Sequence, residues 1–341
     1  MIVKLSVTVV GAGIVGLWQA LTLARAGHRV HLVEASCEDA PFAASASRYA
    51  GAMLSPDCEA ESAPLLIRDL GREALPMWRS TYPGLSNKGS VVVPMPRDPR
   101  ELVRFAKLTQ GHKLLDAGGL ADIEPELAQR FDAALYFANE AHMSAPDALT
   151  FLLAAVREAG VTVLFGVDGL GSACGDGVVI DCRGRAAVDQ IPTLRGVRGE
   201  RIVVRARDVH LQRPVRLLHP RVPFYVVPWP EQIYLVGTTV IETDEAGPMT
   251  VRSAIELLSA ACLLHPGFAE AEILELDAGV RPALPDNVPR AMVAGDGRTI
   301  RVNGAYRHGF LLAPILARAV CEYLQGNAAD SPLLMRERRR E

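Results

Sequence analysis

The stretch SVTVVGAGIVGLWQALTLARAGHRVHLVE, residues 6–34, decides the fold of this chain. Ser6–Val10 is a β-branched run suited to a buried strand, and Ile14–Ala26 carries apolar residues at helical spacing up to Gly27. His28–Val33 reads as a second strand. The segment is therefore a βαβ unit, with Gly11-x-Gly13-x-x-Gly16 at its first turn and Glu34 at its end. Gly11 allows the tight turn, Gly13 lets backbone approach a pyrophosphate, and Gly16 lets helix and strand pack closely. The helix N-terminus adds unpaired N–H groups and a partial positive charge. Glu34 is placed to accept hydrogen bonds from a ribose, and an acid there disfavours a 2′-phosphate. A glycine-rich turn in an unrelated α/β protein would explain the glycines, but not the frame and the acid together. The reading is dinucleotide binding.

This motif does not separate FAD from NAD, but two later segments favour FAD. A flavin dinucleotide is long, so distant parts of the chain must reach it. Val178–Asp181, followed by Cys182-Arg183-Gly184, is a strand ending in glycine that suits a place beside the first βαβ unit. Ile300–Asn303, then Gly304–Leu312 and Ala313–Leu324, reads as strand, glycine turn and helix, with the helix N-terminus available to a flavin ring.

Between these pieces the texture alternates. Pro64–Trp78 is helical, Ser90–Pro94 a strand, Pro99–Thr109 amphipathic, and Pro146–Ala159 a helix capped by Ser144. Val161–Val167 returns to strand. Residues 215–277 are strand-rich, notably Phe224–Val227 and Ile233–Thr239, with one helix at Thr250–Leu264. The expectation is two discontinuous domains: a dinucleotide domain from 1–80, 145–214 and 278–341, and a second from 81–144 and 215–277.

The chain has 341 residues, 49% hydrophobic and 22% charged, enough for two cores. Its 36 basic and 39 acidic residues give a net charge of −3, so no global field attracts nucleic acid or an acidic membrane. The one dense basic run, Arg336 with Arg338–Arg340, reads as a solvated tail. Cys37, Cys58, Cys174, Cys182, Cys262 and Cys321 are scattered without metal spacing, which fits reduced thiols and a cytoplasmic protein. No apolar run reaches the ~18–20 residues of a spanning helix, and glycines interrupt the apolar N-terminus where a signal peptide would run on.

Two further stretches carry a family resemblance. Gly279-Val-Arg281-Pro282, with Pro285-Asp286 and Val302-Asn-Gly-Ala-Tyr-Arg-His-Gly-Phe-Leu-Leu-Ala-Pro314, closely resembles the glycine oxidases of the D-amino-acid oxidase group, and so does Tyr49-Ala-Gly-Ala-Met-Leu-Ser-Pro56. The resemblance covers essentially the whole chain. It implies a Rossmann-like, glutathione-reductase-like FAD domain (α/β) and an α+β substrate domain on a mixed, largely antiparallel sheet. It also implies FAD touched by Ile14, Val15, Glu34, Ala46, Ser47, Gly51, Ala52, Met53 and Val167; no cysteine lies in Arg281–Leu312, so the FAD is expected to be held non-covalently. Ala35, next to Glu34, joins these candidates. The turn from Ala305 through Tyr306, Arg307, His308, Gly309 and Phe310 to Leu311 should surround the flavin. Arg281 matches an arginine that grips the substrate carboxylate, Arg307 a second substrate arginine, and Tyr225 a tyrosine near the same carboxylate. Two departures stand out: Ala52 replaces an expected glycine, and Val240 stands where some relatives carry a larger methionine over the substrate.

Arg281 lies between an apolar strand end and a proline, where a guanidinium is expensive to bury unless an anion meets it. Its planar fork suits a carboxylate, and a structural ion pair is the alternative. The same alternative applies to Arg307, while Tyr225 in an alternating strand could be ordinary core. His308 is expected to pack rather than to exchange protons. No general base is evident; a neutral amine can release its α-hydrogen as hydride to flavin N5. The expected enzyme oxidises glycine, small amines or D-amino acids, reduces O₂ to H₂O₂ and supplies an imine for the thiazole of thiamine. A D-amino-acid dehydrogenase with a quinone or protein acceptor, and a flavoprotein subunit active only with a partner chain, are the alternatives. The sequence leaves a homo-oligomer open.

Overall fold

A computed structural model describes residues 4–168, 170–171, 177–327 and 331–337; Cys174 and Arg338–Arg340 lie outside them. Strand β1 (Ser6–Val10), helix α1 (Ile14–Arg25) and strand β2 (Arg29–Glu34) form the expected βαβ unit, with β1 and β2 parallel and Val10 opposite Val33. On its other side β1 pairs in parallel with Val178–Asp181, which in turn pairs with Thr299–Asn303. The strand Thr162–Phe165 extends the sheet beyond β2, and Arg290–Val293 and Leu334–Arg336 complete seven strands at the far edge. The central strands are β-branched and covered by helices, as a parallel sheet requires. Val7, Val9, Ile180 and Ile300 are completely buried.

The second sheet is mixed. It runs through Lys113–Asp116, Ala133–Phe137, Ser90–Pro94, Val215–Leu218, Phe224–Trp229 and Ile233–Gly237 to Arg195–Arg205, which also pairs with Ile241–Glu242 and Glu272–Ala283. Here the expected domain boundaries shift. Arg195–Arg205 falls within 145–214 yet belongs to this sheet, and Glu272–Ala283 runs unbroken across the 277/278 border. Five charged residues in RGVRGERIVVR hide a strand from a hydrophobicity reading. The fold accommodates them as pairs: Arg198 meets buried Glu200 at 2.8 Å, and Arg201 meets Glu275 at 2.6 Å.

Helix Gly309–Leu324 begins four residues earlier than expected, so Leu311 lies in its first turn and within the core rather than in a loop. Pro314 has no amide to give the carbonyl of Phe310. The indole Nε1–H of Trp78 donates to that oxygen instead, at 2.7 Å. Trp78 is fully buried, edge-on to Trp18 at 5.0 Å and stacked on Phe310 at 6.1 Å. One side chain of helix Leu65–Thr81 thus completes the backbone of another helix. Trp78→Ala is expected to destabilise the holoprotein by about 3–5 kcal/mol in urea unfolding. Trp78→Phe, which keeps the ring and loses the donor, should lose about 1 kcal/mol.

Candidate active site

One long crevice opens at the carboxyl ends of β1, β2 and Val178–Asp181 and continues to the face of the second sheet. At its first end stand Gly11, Gly13, Ile14, Val15, Glu34, Ala35, Ala46, Ser47 and Val167. α1 starts with Gly13 as an N-cap that makes no side-chain cap bond, and no acid occupies its first turn. That leaves an anion-attracting helix end against the crevice. Gly16 does not line it. A Cβ there would overlap the carbonyl oxygen of Gly11, so its task is the close turn itself. Both Glu34 oxygens accept backbone N–H groups, from Ala12 at 2.6 Å and Ser36 at 2.9 Å. The acid thereby ties the glycine turn to β2 and keeps further lone pairs for a ligand.

The middle of the crevice is lined by Gly51, Ala52, Met53, Ala305, Tyr306, Gly309 and Phe310. Ala52 adopts φ +49°, the left-handed region where glycine is at ease. The departure seen in the sequence is thus a backbone strain at the position where a glycine would relieve it.

At the far end Arg281, Arg307 and Tyr225 come together with Thr238, Gly199 and Glu59. Arg281 sits opposite Val197 in the strand pair, so its side chain shares a face with Gly199. A Cβ on Gly199 would overlap the guanidinium; the glycine is what lets it lie against the strand. Arg281 Nη2 donates to Thr238 Oγ1 at 2.8 Å and Nη1 to the Thr239 carbonyl at 3.3 Å. Among the described residues it has no acid partner. Burial lowers its pKa, Tyr225 opposes that shift, and Arg307 adds to it; arginine nevertheless stays cationic. Tyr225 belongs to a transverse row of Arg216, Tyr225, Gly237 and Arg201, paired across four strands on this same face.

Arg307 differs. Its Nη2 lies 3.3 Å from Glu59 Oε1, and Arg216 reaches the same oxygen at 3.2 Å. Burial pushes the Glu59 carboxyl up, but Arg307 and Arg216 outweigh it and hold the pKa at about 2. His308 turns away from the crevice into a neighbouring small cavity, 3.7 Å from Glu59, and burial lowers its pKa. Leu311 is core, and Val240 is 37% exposed outside the crevice because its strand has ended at Gly237. Glu59, Thr238 and Gly199 escaped the sequence reading. An acid closing a four-residue helix, Pro56–Glu59, with Asp57 and Glu61 close by in sequence, carries no pattern that would single it out.

The residues suit FAD: a glycine cradle and helix end at one extremity, a cation with no counter-ion among the described residues at the other, and a continuous crevice between. The sequence matches the FAD dependent oxidoreductase (DAO) profile over residues 6–323. The chain belongs to this family. As an FAD dependent oxidoreductase it is 48% identical over 315 residues to a Rhizobium etli protein named as a thiamine biosynthesis oxidoreductase, ThiO, covering 92% of this chain and 94% of that one. A glycine oxidase of Geobacillus kaustophilus is 25% identical, covering 94% and 93% of the two chains. The crystal structure of glycine oxidase from Geobacillus kaustophilus shares the fold, with a TM-score of 0.80 and 23% identity over 97% of each chain. The enzyme uses FAD.

Gly16→Ala forces two backbone segments apart at the cofactor end. The purified variant is expected to lose its bound FAD, read as the ratio of flavin to protein absorbance; a fully yellow Gly16→Ala protein would contradict the close-packing role.

Proposed function

We propose that the enzyme oxidises glycine and similarly small amino acids to their imines, with O₂ taken to H₂O₂, and that the imine serves thiazole formation in thiamine biosynthesis. The observation that carries the reading is Arg281: a guanidinium in the crevice with hydrogen bonds to Thr238 and Thr239 and no acid beside it among the described residues. Two of its five N–H groups are occupied, which leaves three for a carboxylate. The names of the Rhizobium etli and Geobacillus kaustophilus relatives point to the same substrate class and pathway.

The chain's part is to bind and orient. Arg281 and the Tyr225 hydroxyl hold the carboxylate, Gly11, Gly13, Ile14, Val15 and Glu34 hold the dinucleotide, and Tyr306 and Phe310 wall the crevice between. Bound FAD supplies the acceptor for the two electrons of the C–H bond. Glu59, ionised down to about pH 2 by its arginines, is too weak a base to deprotonate an ammonium. A substrate amine that binds neutral needs no such base, because its lone pair stabilises the developing imine.

An anaerobic titration with glycine, sarcosine, D-alanine and D-proline tests this directly. Glycine and sarcosine should bleach the flavin, and air should restore it rapidly with release of H₂O₂. Bleaching by the bulkier D-amino acids with slow return in air would indicate a dehydrogenase, and no bleaching by any amine would overturn the reading.

A further inference from the structure

Two guanidinium groups line the substrate end of the crevice, and the protein treats them differently. Arg281 has no acid among the described residues. Arg307 already meets the Glu59 carboxylate at 3.3 Å, and Glu59 itself lines the crevice. Glu59 comes from helix Pro56–Glu59, Arg216 from strand Val215–Leu218, and Arg307 from the turn before helix Gly309–Leu324, so three separate segments converge on one carboxylate. Glu59 is buried, and its Oε2 has no hydrogen-bond partner. A buried acid in such company stays only because its charge is matched.

We propose that Glu59 is a specificity-determining residue: by neutralising Arg307 it leaves one open cation in the site, so that amines with a single carboxylate bind and those with a second carboxylate are turned away. This rests on Arg281 receiving the substrate carboxylate. A second carboxylate entering the crevice finds Arg307 occupied and meets the field of Glu59 at short range. Inside a protein-walled crevice that repulsion is screened less than in bulk water, and it discriminates by charge rather than by size. Arg216 shares the acid and holds it in place, and its own charge also faces Glu140 and lies over the Phe105 ring at 6.0 Å.

The test is equilibrium binding to the holoenzyme, followed by the flavin absorbance change on adding acetate or malonate, with no turnover required. The native protein should bind acetate more tightly than malonate. Glu59→Gln should move the malonate-to-acetate affinity ratio at least tenfold toward malonate, and Glu59→Asp should retain the native order. Adding Arg307→Met to Glu59→Gln should abolish the gain, because the second carboxylate then has no cation to meet. An unchanged ratio in Glu59→Gln, or a gain that survives loss of Arg307, overturns the proposal. If Glu59→Gln fails to keep FAD, Arg307→Met gives the mirrored test: with Glu59 left to Arg216 alone, malonate should weaken at least tenfold more than acetate, and equal weakening overturns the proposal. A native holoenzyme that binds neither anion would instead remove the carboxylate role of Arg281, and this proposal with it.

Discussion

Much of the site depends on one unusual economy of charge: Arg281 is kept beside the crevice without a counter-ion among the described residues. The strand geometry achieves this by alternation. Along Arg195–Arg205, Arg198 and Glu200 point to one side and pair there, while Gly199 faces the other and gives Arg281 a flat bed of backbone. Glu200 is the acid nearest in sequence to that bed, and its face keeps it from quenching the guanidinium. It contributes indirectly, since it accepts from Thr239 Oγ1 at 3.1 Å and its backbone carbonyl accepts from Thr238 Oγ1 at the same distance. Thr238 and Thr239 then fix Arg281. A buried ion pair on one face thus holds, through Thr238 and Thr239, the Arg281 cation on the other.

The same contrast organises the junction between the sheets. Glu59 draws Arg216 from the second sheet and Arg307 from the turn that precedes the C-terminal helix. The start of that helix is anchored by the Trp78 indole on the Phe310 carbonyl left free by Pro314. Position therefore passes from buried packing to the turn, and from the turn to the crevice wall. Strain appears at this wall as well: Ala52 at φ +49° and Tyr306 at φ +46°, both lining the crevice, hold left-handed conformations.

The first βαβ unit was legible because its signals are local: β-branched strands, glycines at fixed offsets and a terminal acid. Ser6–Val10, Ser90–Pro94 and Val178–Asp181 lie where the sequence places them, and Ser144 caps helix Ala145–Glu158 by accepting from the Asp147 amide. Arg195–Arg205 was not legible, since Arg195, Arg201 and Arg205 meet their acids, Glu242, Glu275 and Glu272, only from strands far along the chain. Glu59 and Arg307 are 248 residues apart in sequence, and their pairing is a property of the fold alone. Arg281 and Tyr225 were read through family resemblance, and both line the crevice. Val240, Leu311 and His308 were read the same way, and the ends of a strand and a helix turn each of them elsewhere.

If Arg281 is held for a ligand rather than for the fold, its removal should relieve the ligand-free protein. The decisive measurement is the unfolding midpoint of Arg281→Met holoenzyme with and without acetate, at matched flavin content. The account predicts a midpoint equal to or above that of the native protein without ligand, and loss of the stabilisation that acetate gives the native enzyme. A loss of about 3–5 kcal/mol without ligand, as when a buried ion pair is broken, with acetate still stabilising the variant, would make Arg281 a structural residue and contradict the account.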